Sequence, residues 1–411
     1  MGDNDMLYRK IEKNGEQLSV LGYGAMRLPS NNGRTDEKRA TEQIRYAIDH
    51  GVNYIDTALM YMNEPLVGRV LQDGYRDRVK LATKLPPFSV STEEDLEHTF
   101  KIQLENFQTS HIDYYMLHGL NRVTWDKMRE LNALEFLDKI KEEGKIINSG
   151  FSFHGDRDTF KEIIDAYDWD FCMIQYNFLD EENQAGTEGL EYAAAKGLAV
   201  IAMEPFRGGN LTRNIPAEIQ AMWDTAEVKR TPAEWALRWV LNHPEVTCVL
   251  SGMNEEEHIK ENLRIADEAY ANSLTDDELE LISKVADKYR ELMETGCTGC
   301  RYCMPCPRGV DIARCFEMYD SSKLFETSKM QSKVMYAAGL GVINEGKPGF
   351  ASNCTKCGKC EEHCPQELPI MDLLDEVSDE MEGMVTKIVP PVFKTFLAFQ
   401  RFRNRRKAKN L

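Results

Sequence analysis

The 411-residue sequence has no apolar run near the roughly 20 residues that a bilayer-spanning helix needs. Residues 1–13 are polar and lack the apolar stretch of a secretory signal, so a cytoplasmic chain is expected. Positive charge is in deficit. With 50 Lys and Arg against 68 Asp and Glu, the net charge is −18, which argues against general nucleic-acid binding. Cysteine is scarce in the first 290 residues, where only Cys172 and Cys248 occur, whereas the other nine crowd between Cys297 and Cys364. In a cytosolic chain such crowding indicates metal or redox chemistry rather than disulfides. Glycine is missing where a dinucleotide loop wants it: in Gly22-Tyr23-Gly24-Ala25-Met26-Arg27, Arg27 stands in the third glycine position.

A composition of 42% hydrophobic and 29% charged residues suits a globular protein with a sizeable core, not a disordered chain. Eight short apolar, β-branched runs read as strands: 20–26, 53–58, 79–85, 112–117, 146–152, 171–176, 199–203 and 247–250. Amphipathic helical patterns separate them, among them 36–50, 93–107, 125–143 and 231–242. Runs apolar throughout suit parallel strands buried on both faces. Eight strand–helix repeats in this length predict an α/β fold, a (β/α)8 TIM barrel, with an open doubly wound sheet as the alternative. Residues 8–18, with Asn14-Gly15 at their centre, read as a β-hairpin ahead of the first barrel strand.

The expected division is a barrel over 1–290, a small α-rich cysteine module over 291–381, and a basic tail over 382–411. From Thr386 onward the tail holds eight Lys and Arg and no acid, with Phe393, Phe396, Phe399 and Phe402 three residues apart. It reads either as an amphipathic helix for an anionic membrane or, as favoured here, as a tail docked on the acidic body or left mobile.

The cysteines form two runs: Cys297-x2-Cys300-x2-Cys303-x2-Cys306-Pro307 and Cys354-x2-Cys357-x2-Cys360-x3-Cys364-Pro365. Three thiolates at two-residue gaps can wrap three corners of an iron–sulfur cubane from one tight loop, leaving the fourth corner to a distant cysteine. The segment resembles the bacterial two-cluster ferredoxins, in which the fourth cysteine of each run ligates the other cluster. That resemblance implies two 4Fe–4S clusters, one on Cys297, Cys300, Cys303 and Cys364, the other on Cys354, Cys357, Cys360 and Cys306. The first run is one residue short before its Cys-Pro, so Cys315 stands as a substitute for Cys306 or as a packed core cysteine. A pair of four-cysteine zinc sites is the alternative for the whole constellation.

Chemistry in such barrels sits at the C-terminal strand ends. Read in order, those ends carry Asp56, Lys84 and His118, with Tyr61 in the loop just past Asp56. Reduction of a carbonyl by hydride needs a proton for the developing alkoxide. Tyr61 is placed to donate it. A phenol titrates near 10 in water, so a neighbouring cation must ease proton loss. Lys84 supplies that charge, Asp56 holds Lys84, and His118 orients the carbonyl.

At these residues the chain resembles the aldo-keto reductase family over residues 8 to about 290. The matching stretches are Asn53-Tyr54-Ile55-Asp56-Thr57-Ala58-x-x-Tyr61, Ala82-Thr83-Lys84, Leu117-His118, Gly150-Phe151-Ser152, Gln175-Tyr176-Asn177 and Glu261-Asn262. The resemblance implies a nicotinamide cofactor, NAD(P)H, bound without a Rossmann motif. It implies Ser152 and Gln175 at the carboxamide, and Glu261 and Asn262 at the adenine end. The whole chain resembles the family's iron–sulfur branch, in which a two-cluster module follows the barrel. Phe153-His154 and Met203 depart from the family pattern, and Glu255-Glu256-Glu257 would repel a 2′-phosphate, leaving NAD open against NADP. Arg207 reads as a pyrophosphate contact or, equally, as a surface loop charge.

These readings favour an oxidoreductase for a small carbonyl or alcohol, with clusters that carry electrons to or from a redox protein partner. Hydride moves two electrons and each cluster passes one, and no flavin motif bridges the difference. Two alternatives follow: an iron–sulfur electron-transfer or docking protein with the barrel as scaffold, and a carbonyl reductase with structural clusters.

Overall fold

A computed structural model describes residues 6–299, 301–325, 328–342 and 348–408. Twelve strands lie among them: β1 Tyr8–Lys10, β2 Gln17–Ser19, β3 Leu21–Gly24, β4 Ser30–Asn31, β5 Arg34–Thr35, β6 Tyr54–Asp56, β7 Lys80–Leu85, β8 Ile112–Leu120, β9 Ile146–Phe153, β10 Phe171–Gln175, β11 Ala199–Met203 and β12 Val246–Ser251. The eight runs read from the sequence are β3 and β6 to β12. They close into one parallel barrel in chain order, with β12 pairing back onto β3. The doubly wound alternative is thereby excluded.

The barrel is filled from within. Side chains alternate in and out along each strand, and Tyr54, Ala82, Tyr114, Met116, Phe171, Met173, Ile201 and Cys248 form one buried inner cluster. Small residues make room for the large ones. A side chain at Gly150 would begin 2.5 Å from the Phe171 ring, and one at Gly22 only 2.8 Å from Leu250. The expected hairpin forms from β1 and β2. Its Ile11 and Leu18 join the inner cluster and plug the barrel floor, while Arg9 donates to the carbonyls of Leu241, His243 and Val246.

The outer layer of helices packs on the opposite strand faces in a second, larger core. The pattern expected as one helix over 125–143 is two, Arg122–Glu130 and Ala133–Glu142. Asn121 caps the first in a reciprocal box with Thr124. The break falls at Asn132, whose left-handed backbone (φ 52°) interrupts the helix. Asparagine tolerates that conformation better than most residues, and its side chain bonds Glu93 at 2.5 Å.

Beyond the barrel, helices Ile312–Leu324, Lys329–Gly341 and Ile370–Met381 share a small core of Val310, Phe316, Tyr336, Leu340, Leu374 and Val377. Phe325, just past the first of these helices, belongs to the barrel's core instead and ties the two bodies together. The basic tail is helical over Met384–Ala408 and docked. It packs against helices Lys329–Gly341 and Glu93–Phe107. Arg405 reaches both carboxylate oxygens of Asp95 at 2.6 Å, Arg401 donates to the Phe88 carbonyl at 2.7 Å, and Lys407 pairs with Glu105 at 2.7 Å. No described helix is long and apolar enough to cross a membrane.

Candidate functional site

Strand register lifts the site residues into one rim. Asp56 pairs with Ala82, so Lys84 is the next inward position along β7. Lys84 pairs with Met116, so His118 is the next inward position along β8. Ser152 pairs with Met173, and Gln175, one inward position on, pairs with Met203. The stagger of a closed barrel thus turns a period of two along each strand into a single ring of side chains at the C-terminal mouth. Tyr61 enters this ring from a short 3-10 turn, Leu59–Tyr61. Asn63 fixes that turn, accepting from the Thr57 hydroxyl at 2.5 Å and donating to the Ala25 carbonyl at 2.6 Å.

Lys84 is 2% exposed and makes three contacts, to Asp56 Oδ1 at 2.6 Å, Asp56 Oδ2 at 2.7 Å and the Thr57 carbonyl at 2.7 Å. Burial pushes the Lys84 pKa down and the Asp56 pKa up, and the mutual attraction opposes both shifts. Lys84 Nζ lies 5.3 Å from the centre of the Tyr61 ring. The His118 ring stands edge-on to Tyr61, with centroids 6.2 Å apart. Burial, aided by Lys84 and His154, pushes the His118 pKa well below the usual imidazole value, so the ring is neutral at pH 7. Its Nδ1 is buried with no hydrogen-bond partner among the described residues. Burial, Asp56 and Glu204 raise the Tyr61 pKa, which keeps the phenol protonated. A protonated phenol, an adjacent ammonium and a neutral imidazole can together deliver a proton to an oxygen and steady it.

The residues assigned to nicotinamide are less free. The Ser152 hydroxyl accepts from the Gly119 amide at 2.7 Å. Gln175 donates to Asp180 at 2.9 Å and accepts from Gln184 at 2.6 Å. Gln184 in turn lies 3.1 Å from His154 Nδ1, and burial together with Arg314 pushes the His154 pKa down to about 4. Arg207 is no surface loop charge. It is 7% exposed, 3.3 Å from Asp180 and 5.9 Å from the Phe325 ring, at the seam between barrel and module. Asn262 donates to Ser251 at the end of β12 at 2.7 Å, and Glu261 accepts from Thr231 at 2.6 Å. Of the three consecutive carboxylates, Glu255 and Glu256 are both paired with Arg39. Their repulsion of a phosphate is accordingly weaker than the bare sequence implies.

The cysteine runs meet in the module. One pocket is lined by Cys297, Cys303, Cys364 and Pro365, with Ile312, Phe316 and Ile370 among its walls. It joins two thiols of the first run to the fourth of the second, the exchange implied by the ferredoxin resemblance; Cys300 lies outside the described residues. Arg308, two residues after Cys306, reaches Thr355, next to Cys354, at 3.4 Å, and Cys306, Cys354 and Cys360 pack against the same module core. Cys315 is fully buried, with its thiol 3.5 Å from both the Tyr336 hydroxyl and the Gly349 carbonyl, so it is a packed core cysteine. Among the described residues no three His, Cys, Asp or Glu side chains form a ready single-ion site. The pocket's apolar walls and its three described thiols suit an iron–sulfur cluster.

The aldo/keto reductase family pattern matches residues 20–287, and that of a 4Fe-4S dicluster domain matches residues 296–368. The chain belongs to the aldo/keto reductase family. An uncharacterized oxidoreductase of Bacillus subtilis is 25% identical over 309 residues, covering 67% of this chain and 95% of that one. The NADH-specific methylglyoxal reductase of Escherichia coli is 24% identical over 299 residues, covering 60% and 89%. A solved aldo-keto reductase of Bacillus halodurans is 27% identical, covers 68% of this chain and 96% of its own, and superposes with a TM-score of 0.57. This aldo/keto reductase is an oxidoreductase with an iron–sulfur domain appended.

Several rim residues escaped the sequence reading. Glu204 directly follows β11, so the strand-end rule that found Lys84 would have found it too. Asp180, Gln184 and Arg314 gave no such signal, since they sit in loops or on the appended helix. Glu64 is 1% exposed behind Lys84, accepting from Thr83, Gln103 and Asn106 at 2.7, 2.8 and 2.9 Å.

Proposed function

We propose that this reductase interconverts a small carbonyl and its alcohol with NAD(P)H, and that two 4Fe–4S clusters link it to a redox protein partner. The observation that carries the first half is Lys84, clamped by Asp56 and set beside Tyr61 with neutral His118 opposite. A bound nicotinamide supplies or accepts the hydride. Tyr61 gives the proton to the carbonyl oxygen, Lys84 stabilises the phenolate left behind, Asp56 fixes Lys84, and His118 orients the carbonyl. Ser152, Gln175, Arg207, Glu261 and Asn262 are the residues to hold the nicotinamide. Cys297, Cys300, Cys303 and Cys364 would hold one cluster and Cys354, Cys357, Cys360 and Cys306 the other. The functional units are the barrel over 1–290, the cluster module over 291–381 and the tail over 382–411.

Electron exchange between the units draws support from the seam. A side chain at Gly299, inside the first cysteine run, would begin 3.0 Å from Asn183, whose neighbour Gln184 bonds Gln175 in the rim. A second reading, an electron-transfer protein with the barrel as scaffold, is favoured by one observation: both ends of the Gln175 amide already have partners. Anaerobic mixing with NADH and with NADPH separates the two readings. Aldehyde reduction together with bleaching of cluster absorbance is expected, with Tyr61→Phe abolishing the former and sparing the clusters. Absence of nicotinamide binding would favour the scaffold, and undiminished turnover by Tyr61→Phe would reject the proton donor.

A further inference from the structure

The C-terminal helix Met384–Ala408 has two faces, and docking uses only one. Leu397, 6% exposed, and Pro390 turn inward, and Arg401, Arg405 and Lys407 hold that side to the barrel. Ile388, Val392, Phe396, Phe399 and Phe402 recur at spacings of three and four, which places them on one stripe along the opposite side. They are exposed, with Val392 at 62%, Phe399 at 61% and Phe402 at 64%. Large aromatic side chains held in water along one line mark a surface meant to be covered.

The charges around the stripe say what covers it. Arg403 and Arg406 lie within the angular span of the stripe with no salt bridge among the described residues, and from Thr386 onward the chain has no acid at all. We propose that this face seats the enzyme on an anionic phospholipid bilayer, with the helix lying in the interface plane. Aromatic and aliphatic side chains on one face flanked by Lys and Arg are the composition of interfacial helices. A uniformly cationic surround calls for an anionic surface, and anionic lipid offers that charge together with the apolar depth the stripe requires. The acidic body does not forbid the approach. Its −18 net charge is screened beyond about 8 Å at physiological salt, so the cations nearest the surface dominate. One such helix gives reversible attachment, not insertion, and no described helix is built to cross the bilayer.

The test is sedimentation of the full-length, cluster-loaded protein with phosphatidylcholine vesicles, with and without phosphatidylglycerol. The protein is expected to pellet with the anionic vesicles at low salt, to release at high salt, and to ignore neutral vesicles. Phe399→Ser with Phe402→Ser should lose binding. Arg403→Gln with Arg406→Gln should weaken it by roughly fivefold per cation removed. Cluster absorbance and circular dichroism should stay unchanged in both, since these side chains lie outside the core. Failure to pellet with anionic vesicles at low salt overturns the proposal, as does equal pelleting with neutral ones. So does a dimer in solution that the two Phe substitutions dissolve while vesicles bind nothing, which would assign the stripe to a second copy. None of these outcomes depends on turnover, so they leave the catalytic reading to its own test.

Discussion

Lys84→Met isolates the ion pair beneath Tyr61. In the native site the ammonium makes three contacts of 2.6–2.7 Å at 2% exposure, so its loss leaves a buried carboxylate with no counter-ion and the Thr57 carbonyl with no donor. Breaking a buried pair from one side costs about 3–5 kcal/mol. Removing both partners with Asp56→Leu and Lys84→Met leaves an apolar pair, which is often near neutral. Asp56→Leu alone strands the ammonium at a similar cost, so the double-mutant cycle should show a coupling of about 6 kcal/mol or more. The deficit of the single variant should also depend on pH. Burial raises the Asp56 pKa above 3.8, and without Lys84 nothing comparable pulls it back. An acid with a raised folded pKa lends stability below its unfolded value and loses it as pH climbs through the folded one. Lys84→Met should thus be least unstable in acid and worsen toward neutrality. Urea titration followed by tryptophan fluorescence reads this out, because all five tryptophans lie in the barrel. Additive single-variant costs, or a deficit flat with pH, would refute the reasoning.

Arg405→Gln should release the tail helix. Arg405 is about half exposed, so a loss of about 1 kcal/mol is expected, read as faster amide exchange over 397–408. Acid should act in the same direction. Burial raises the Asp95 pKa, but Arg405 and the Ser91 amide outweigh it and leave the group below the usual carboxylate value. Its contribution is therefore present above about 3.8 and lost as pH falls through the folded pKa. For the clusters, Cys364→Ser should lower the iron count from about eight to about four, because one pocket loses its corner from the second run. Cys315→Ser should leave the count unchanged; a fall would make Cys315 a ligand after all.

What the sequence made legible was periodic. Strand–helix repeats with runs apolar throughout announced a barrel, and the C-terminal ends of those strands gave Asp56, Lys84 and His118, whereas Ser152 and Gln175 came only through the family resemblance. Aperiodic features stayed hidden. Asn132 splits a helix through its backbone angle, and the amphipathic pattern runs straight across it. The chain Arg207–Asp180–Gln175–Gln184–His154 links loops whose partners no spacing predicts. Asp95 reads as an N-terminal helix acid, and nothing local reveals that its counter-ion is Arg405, 310 residues away.

The seat of the cluster module follows from the barrel's closure. A closed sheet offers no edge strand to a second body, so attachment must use loops and helix ends. Arg290, near the end of the last barrel helix, donates to the Leu179 carbonyl at 3.2 Å and directs the chain toward the loop after β10. Thr295 then bonds buried Asp320 through both its amide and its hydroxyl, at 2.9 and 2.5 Å, which fixes the module's first helix before the cysteines begin. The first run is thereby set down on Asn183, on the loop that also supplies Asp180 and Gln184 to the rim. A linker with looser ends would have left the module free to dock anywhere. These bonds set the first cysteine run against the loop beside Gln175, so a redox group held by that run would offer an electron a route into the rim through Asn183 and Gln184.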